Sequence, residues 1–281
     1  MAILMKGSEV VNSMKEKMLV EVEELKAKGI IPGLAIVRIG SNPDDISYER
    51  GAIKRCESLG IMCRVYEYPS DISQEKFVYE LKKINEDESI HGILLFRPLP
   101  KHIDENLVKY IIDPKKDIDC FNPINLAKVF EGDETGFAPC TPEAVIEIMD
   151  HYGIEARGKR VVIIGRSLVV GKPLSMLLLK RNATITICHT KTRNIEEICK
   201  NAEILIAAAG KAKMVTKDFI SKGQIIIDVG INVDENGKLC GDVNFEEAEM
   251  LADYITPVPG GVGTVTTSVL AKHIIQAAKN S

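Results

Sequence analysis

Apolar positions along the chain recur with two alternating periods. Val10, Val11, Met14, Met18, Val22 and Leu25 fall at helical spacing, which predicts a helix capped by Ser8 and ending near Gly29. The run Leu34–Ile39, bounded by Pro32-Gly33 and Gly40, predicts a buried strand. The polar loop 40–45 then leads into a second helix, with Asp45 as its expected N-cap. Further strands are expected near 62–67 and 92–95, with a helix between them from about Ser73 to Asp87.

A second series of strands is predicted at Val161–Ile164 and near 184–188, 204–208 and 225–229. An amphipathic helix from about Val265 to Lys279 closes the chain. Strands separated by helices of this length need crossover connections, so parallel pairing follows. Stretch 139–142 contains two prolines and 256–263 both proline and glycine, and the two are placed as domain crossings. The expected fold class is α/β in two lobes with a cleft between them. Residues 1–140, completed by 265–281, form the first lobe and 141–264 the second, the C-terminal helix returning to the first.

Composition narrows the function classes. Of 281 residues, 45% are hydrophobic and 27% charged, with a formal net charge of −4. A nucleic-acid binder would show a basic patch or stripe, and none is present. The seven cysteines are odd in number and scattered without a C-x-x-C pair, and the five histidines lack metal-ligand spacing. Neither a disulfide framework nor a metal site is expected. The opening residues carry four or five apolar positions before Lys6, short of the roughly 7–15 of a secretory core. No run approaches the ~18 apolar residues of a membrane span. A soluble, cytoplasmic protein is the expectation.

The first candidate chemistry opens the second series. A strand leads into Gly165-Arg-Ser-Leu-Val-Val-Gly171, then Lys172, Pro173 and an apolar helix. A glycine-bearing turn between strand and helix is where dinucleotides seat a pyrophosphate, on the free N–H groups and positive dipole end of the helix. The spacing departs from G-x-G-x-x-G, so a plain tight turn stands beside this reading. The strand at 184–188 runs into Cys188-His-Thr-Lys-Thr-Arg193, where an adenosine ribose would lie. Arg166, Thr190 and Arg193 could neutralise a 2′-phosphate, and no Asp or Glu occurs there, which favours NADP over NAD.

Several stretches together resemble the methylenetetrahydrofolate dehydrogenase/cyclohydrolase family. They are Pro139-Cys-Thr-Pro142, Gly165-Arg-Ser with Gly171, Asp228-Val-Gly-Ile-Asn232, Gly241-Asp-Val243, and Ile255-Thr-Pro-Val-Pro-Gly-Gly-Val-Gly263. In the first lobe, Gly92-Ile-Leu with Pro98-Leu-Pro100 and Lys116-Asp-Ile-Asp119 also fit. The resemblance implies a folate-binding first lobe, a Rossmann-like NAD(P)-binding second lobe and a homodimer. It implies hydride transfer from methylenetetrahydrofolate to NADP, with NAD as the lesser candidate. By the same resemblance Tyr48 and Asp119 are catalytic, and Tyr48, Phe96, Leu99, Asp119, Pro259, Gly260 and Gly261 bind substrate. Gly165, Arg166, Ser167, Gly171, Thr190, Arg193, Gly230 and Ile231 would bind cofactor.

The chain departs from the family's Tyr-x-x-x-Lys helix motif. Four residues on from Tyr48 stands Ala52, and Lys54 lies about 200° round the helix from Ala52. Phe96 replaces the glutamine that partners that lysine in the family. Both members of one polar pair are gone, so cyclohydrolase activity is expected to be weak or absent. Cys120, Ala144 and Thr264-Val265 depart from the family as well. The alternatives are a fully bifunctional enzyme, a dehydrogenase of small keto or amino acids, and a binding protein without turnover. His189 is assigned no chemistry.

Overall fold

The computed structural model describes residues 2–281. In chain order the elements are β1 (Ile3–Leu4), α1 (Gly7–Ala27), β2 (Gly33–Ile39), α2 (Pro43–Glu57), β3 (Met62–Tyr68), α3 (Gln74–Glu86), β4 (Gly92–Leu95), α4 (Glu105–Val108) and α5 (Pro123–Glu131). There follow α6 (Cys140–His151), β5 (Arg160–Ile164), α7 (Gly171–Lys180), β6 (Thr184–Cys188), α8 (Ile195–Lys200), β7 (Ile204–Ala207) and β8 (Ile225–Asp228). Last come β9 (Asn232–Val233), β10 (Leu239–Cys240), α9 (Phe245–Glu249), β11 (Tyr254–Ile255) and α10 (Val262–Lys279).

These elements form two compact units. Residues 13–140 with 267–281 make the first, and the described residues up to 12 with 141–266 make the second. This corrects the expected boundary at the N-terminus. Ile3 and Leu4 pair in parallel with Tyr254 and Ile255, so the opening strand completes the sheet of the second unit. Two residues are too short to show a period, and only the distant partner strand decides where they go.

The first unit is built on a three-stranded parallel sheet in the order β3-β2-β4. Six of the seven β2 residues are buried, as expected for a central parallel strand covered on both faces. Ala35, Val37, Ile93 and Leu95 pack against Phe77, Leu81 and Ile84 of α3. The cap of α2 differs from expectation. Asn42, not Asp45, accepts from the Asp44 N–H at 3.0 Å, and Pro43 occupies the first turn, where its missing N–H is harmless.

The second unit carries a six-stranded parallel sheet in the order β1-β11-β8-β7-β5-β6. Val162, Ile164, Leu205, Ala207 and Ile226 form its core. Strand order reverses beside β5, with β6 on one side and β7 on the other, which makes a topological switch point at the carboxyl ends of β5 and β7. Among the described residues no helix is long and apolar enough to cross a membrane. No cluster of metal-ligating side chains occurs there either.

Candidate functional site

In a parallel sheet every strand ends on the same edge, and five of the six strand ends in the second unit concern the site. They are those of β6, β5, β7, β8 and β11. The turn after β5 shows why its two glycines are needed. A Cβ on Gly165, whose φ is +130°, would collide with the carbonyl of Ala208, and one on Gly171 would collide with the carbonyl of Gly165. The spacing G-x-x-x-x-x-G is thus a close packing of the β5 turn on itself and on the β7 turn. Ser167 Oγ accepts from the Val170 N–H at 3.0 Å, and no side chain caps the start of α7.

The Gly165 N–H donates to the Cys188 carbonyl at 2.9 Å, so the turns after β5 and β6 are adjacent. Arg166, Thr190 and Arg193 are all exposed on those two turns. His189 is spent on local structure. Its N–H donates to Thr192 Oγ1 at 2.9 Å, and its Nδ1 accepts from the Lys191 N–H at 3.1 Å.

On the other side of the switch point, Gly230, Ile231 and Pro257–Thr264 line a cavity of about 160 Å³ that includes Pro259, Gly260 and Gly261. Asp228 stands behind it, its carboxylate accepting from the N–H groups of Gly230, Asp242 and Val243 at 3.0, 3.0 and 2.9 Å. Burial raises its pKa to about 7 against those three donors. The Asp228 N–H donates to Thr256 Oγ1 at 2.7 Å, which ties the β8 end to the turn after β11.

In the first unit, Tyr48 on α2 meets Phe96, just past β4, edge to face with ring centroids 6.0 Å apart. The Phe96 N–H continues the sheet by donating to the Val37 carbonyl at 3.0 Å. Glu49, next to Tyr48, is buried and ion-paired to Arg38 of β2 at 3.2 Å, which fixes the rotation of α2 about its axis. Ala52 is fully buried on that helix while Lys54 is exposed, so the neighbouring lysine does not face the same way. Leu99 is buried and its N–H donates to Glu105 at 2.7 Å.

Asp119 sits on a turn built by another carboxylate. Asp117, 1% exposed, accepts from the N–H groups of Phe121 and Asn122 at 2.8 Å each and from Asn125 Nδ2 at 2.9 Å. Lys116 Nζ donates to the Asn85 and Asp87 carbonyls at 2.6 and 2.8 Å. Asp119 Oδ1 itself accepts from the Cys140 N–H at 3.0 Å. Cys120, at a position where the resemblance leads one to expect glycine, adopts φ +58°, in the left-handed region. His273 Nδ1 lies 2.8 Å from the Ile118 carbonyl, so that nitrogen carries the proton and donates.

Sequence reasoning missed three features. The turn Ala209–Lys211 after β7 had no motif to announce it. Gly241-Asp-Val243 shows no role in the sequence, because the loop partners of Asp242 lie 10 to 33 residues away. Arg55 also went unseen. It follows Tyr48 by seven and Ala52 by three residues, on one helix face, with its Nε buried and without a hydrogen-bond partner.

Comparison with known proteins agrees with this geometry. The family model described as tetrahydrofolate dehydrogenase/cyclohydrolase, catalytic domain, matches residues 5–119, and that for the NAD(P)-binding domain matches residues 139–281. A bifunctional protein FolD of Clostridium kluyveri is 54% identical over 280 residues, spanning 100% of this chain and 99% of its own. The crystal structure of the bifunctional methylenetetrahydrofolate dehydrogenase/cyclohydrolase FolD of Campylobacter jejuni superposes with a TM-score of 0.97 at 40% identity, covering 100% of this chain and 99% of that one. A methylenetetrahydrofolate dehydrogenase-cyclohydrolase of Trypanosoma brucei, complexed with NADP cofactor and an inhibitor, gives 0.93 at 36% identity, covering 99% and 98%. The chain belongs to the tetrahydrofolate dehydrogenase/cyclohydrolase family.

Proposed function

From that membership we propose that the chain oxidises 5,10-methylenetetrahydrofolate to the methenyl form by hydride transfer to NADP and then hydrolyses the methenyl form to 10-formyltetrahydrofolate. The observation that carries this reading is the near full-length 54% identity to a protein named bifunctional. It runs against the weak or absent cyclohydrolase expected from Ala52 and Phe96, and it favours the bifunctional alternative. A homodimer and a cytoplasmic location belong to the same reading.

The residues present fit a dinucleotide. Gly165 and Gly171 let the β5 turn close tightly on itself beside an α7 terminus free of side-chain caps. In this reading Gly165, Ser167 and Gly171 receive the pyrophosphate. Arg166, Thr190 and Arg193 receive the 2′-phosphate that distinguishes NADP, and Gly230 and Ile231 border the nicotinamide end. When bound, NADP supplies the hydride acceptor. Tyr48 and Asp119 orient the folate. Hydrolysis adds water to the methenyl carbon and releases one proton. On the α2 face that lacks a lysine, Arg55 is the cation available to hold that water.

A dehydrogenase-only reading rests on a different observation. Phe96 packs edge to face on Tyr48, and Ala52 is fully buried. One assay separates the two: the purified protein with methylenetetrahydrofolate and NADP, then NAD, following reduced cofactor and the methenyl product. Rapid consumption of added methenyltetrahydrofolate supports the bifunctional reading, and Arg55→Met should then slow hydrolysis about 10²-fold with little change in hydride transfer. A methenyl signal that decays no faster than an enzyme-free control sinks that reading, and Ala52→Lys with Phe96→Gln becomes the repair to test. No turnover with either cofactor would leave only a binding protein.

A further inference from the structure

Asp242 is fully buried yet accepts four hydrogen bonds from two separate loops. Its Oδ2 takes the Ala209 and Gly210 N–H groups at 2.5 and 2.9 Å, and its Oδ1 takes the Lys211 N–H at 2.8 Å. Oδ1 also takes Asn232 Nδ2 at 2.9 Å. Three consecutive backbone N–H groups converging on one point make an anion-binding concavity. Here the anion is already present, supplied by the chain itself. Asp242 is in turn held at its own N–H by Asp228 at 3.0 Å. The fit is tight, since a Cβ on Gly230 would collide with the Asp242 carboxyl and one on Gly241 with that of Asp228.

Between these clamps stands Ile231. Its neighbour Gly230 is held by Asp228 and its neighbour Asn232 by Asp242, yet Ile231 is 64% exposed and lines the cavity of about 160 Å³. Held on a fixed backbone at the cavity lip, Ile231 is positioned where a ligand in that cavity would meet it. Buried carboxylates are weak devices for stability, because desolvation offsets most of what their partners return. They are good at fixing geometry.

We propose that Asp242 is a positioning residue for the dinucleotide. It fuses the turn after β7 and the lip after β8 into one ledge that presents Ile231, and it fills the Ala209–Lys211 concavity so that pyrophosphate is left with the turn at Gly165–Gly171. The inference rests on the reading that this sheet edge takes NADP.

The test compares three variants of the full chain by NADPH equilibrium dialysis, steady-state kinetics and thermal unfolding. Asp242→Asn places an N–H where an acceptor is needed. It should raise the NADPH Kd and the KM for NADP at least tenfold, with kcat and the folate KM within threefold. Asn232→Ala removes only the fourth bond and should raise the NADPH Kd about threefold without lowering Tm. Gln224→Ala is the control for general loosening. Gln224 is a buried clamp at the opposite edge of the same sheet, its Nε2 donating to the Cys199 and Ala202 carbonyls at 2.7 Å each. This variant should lower Tm while leaving the NADPH Kd unchanged. An unchanged Kd in Asp242→Asn overturns the proposal, as does an equal rise in Gln224→Ala. If Asp242→Asn fails to fold, Asn232→Ala decides alone by the same Kd. Absence of NADPH binding by the unaltered chain overturns the underlying reading, and the proposal with it.

Discussion

Each unit hangs its candidate site on buried aspartates that accept backbone N–H groups, but the two do so over very different sequence distances. Asp117 is satisfied by residues four, five and eight positions further on, within its own turn. Asp228 and Asp242 reach across the sheet edge, to partners 14 and 15 residues away in one case and 31 to 33 in the other, besides the nearby Gly230 and Asn232. A local cage orders one turn that carries one candidate site carboxylate, Asp119. A long-range pair joins loops from different strands, which a ligand spanning several strand ends needs. The chemistry is the same in both, and sequence distance decides what it can organise.

The largest effect expected from breaking this contrast is in the local cage. Asp117→Ala leaves the part-buried Phe121 N–H and the buried Asn122 N–H without acceptors, costing about 3 kcal/mol at roughly 1–3 kcal/mol per lost partner. Hydrogen exchange should rise in residues 118–125 and stay unchanged along β2. Faster exchange in β2 would show that the cage supports the sheet as well as its own turn.

A smaller effect separates the long-range pair by pH. Burial raises the Asp228 pKa to about 7 from an ordinary 3.8. Between these values the folded state holds a proton that the unfolded state has lost, so stability rises as pH falls through 7. From pH 8 to pH 6 the gain should be about 1.4 kcal/mol, the linkage value of one unit of pKa. Denaturant titrations of the protein and of Asp228→Asn at both pH values check it, and equal pH dependence in the two would refute the assignment to Asp228.

The smallest expected effect lies at Cys120. Its left-handed backbone costs about 1–2 kcal/mol. Cys120→Gly would relieve that strain but lose a buried thiol and gain unfolded-chain freedom, each worth roughly 0.5–1 kcal/mol. The net change should stay under about 0.5 kcal/mol by urea denaturation. A loss above about 1.5 kcal/mol would mean that packing of the thiol holds the Asp117 turn.

The strands of both sheets were legible because parallel strands buried on both faces are short continuous apolar runs, as in Val161–Ile164 and Leu34–Ile39. The helix over α1 was equally plain from its stripe of buried residues. The two-residue strand at Ile3–Leu4 was not, since it has no period and exists only through its pairing with Tyr254 and Ile255. Among site residues, the glycines at 165 and 171 stood out as a turn, but the reason for both, mutual contact and contact with Ala208, is a fact of packing. Tyr48 and Phe96 could be named from their motifs, whereas their ring contact could not.

Sequence by itself determined the alternation of strands and helices, the parallel sheets and the family, because those depend on periodicity and on local motifs. Tertiary structure alone decided which loops the buried carboxylates join, where the first strand belongs and what Asp242 holds. Hydrogen bonds between residues 10 to 33 positions apart leave no period in the chain, and only the sheet that brings strand ends together makes them.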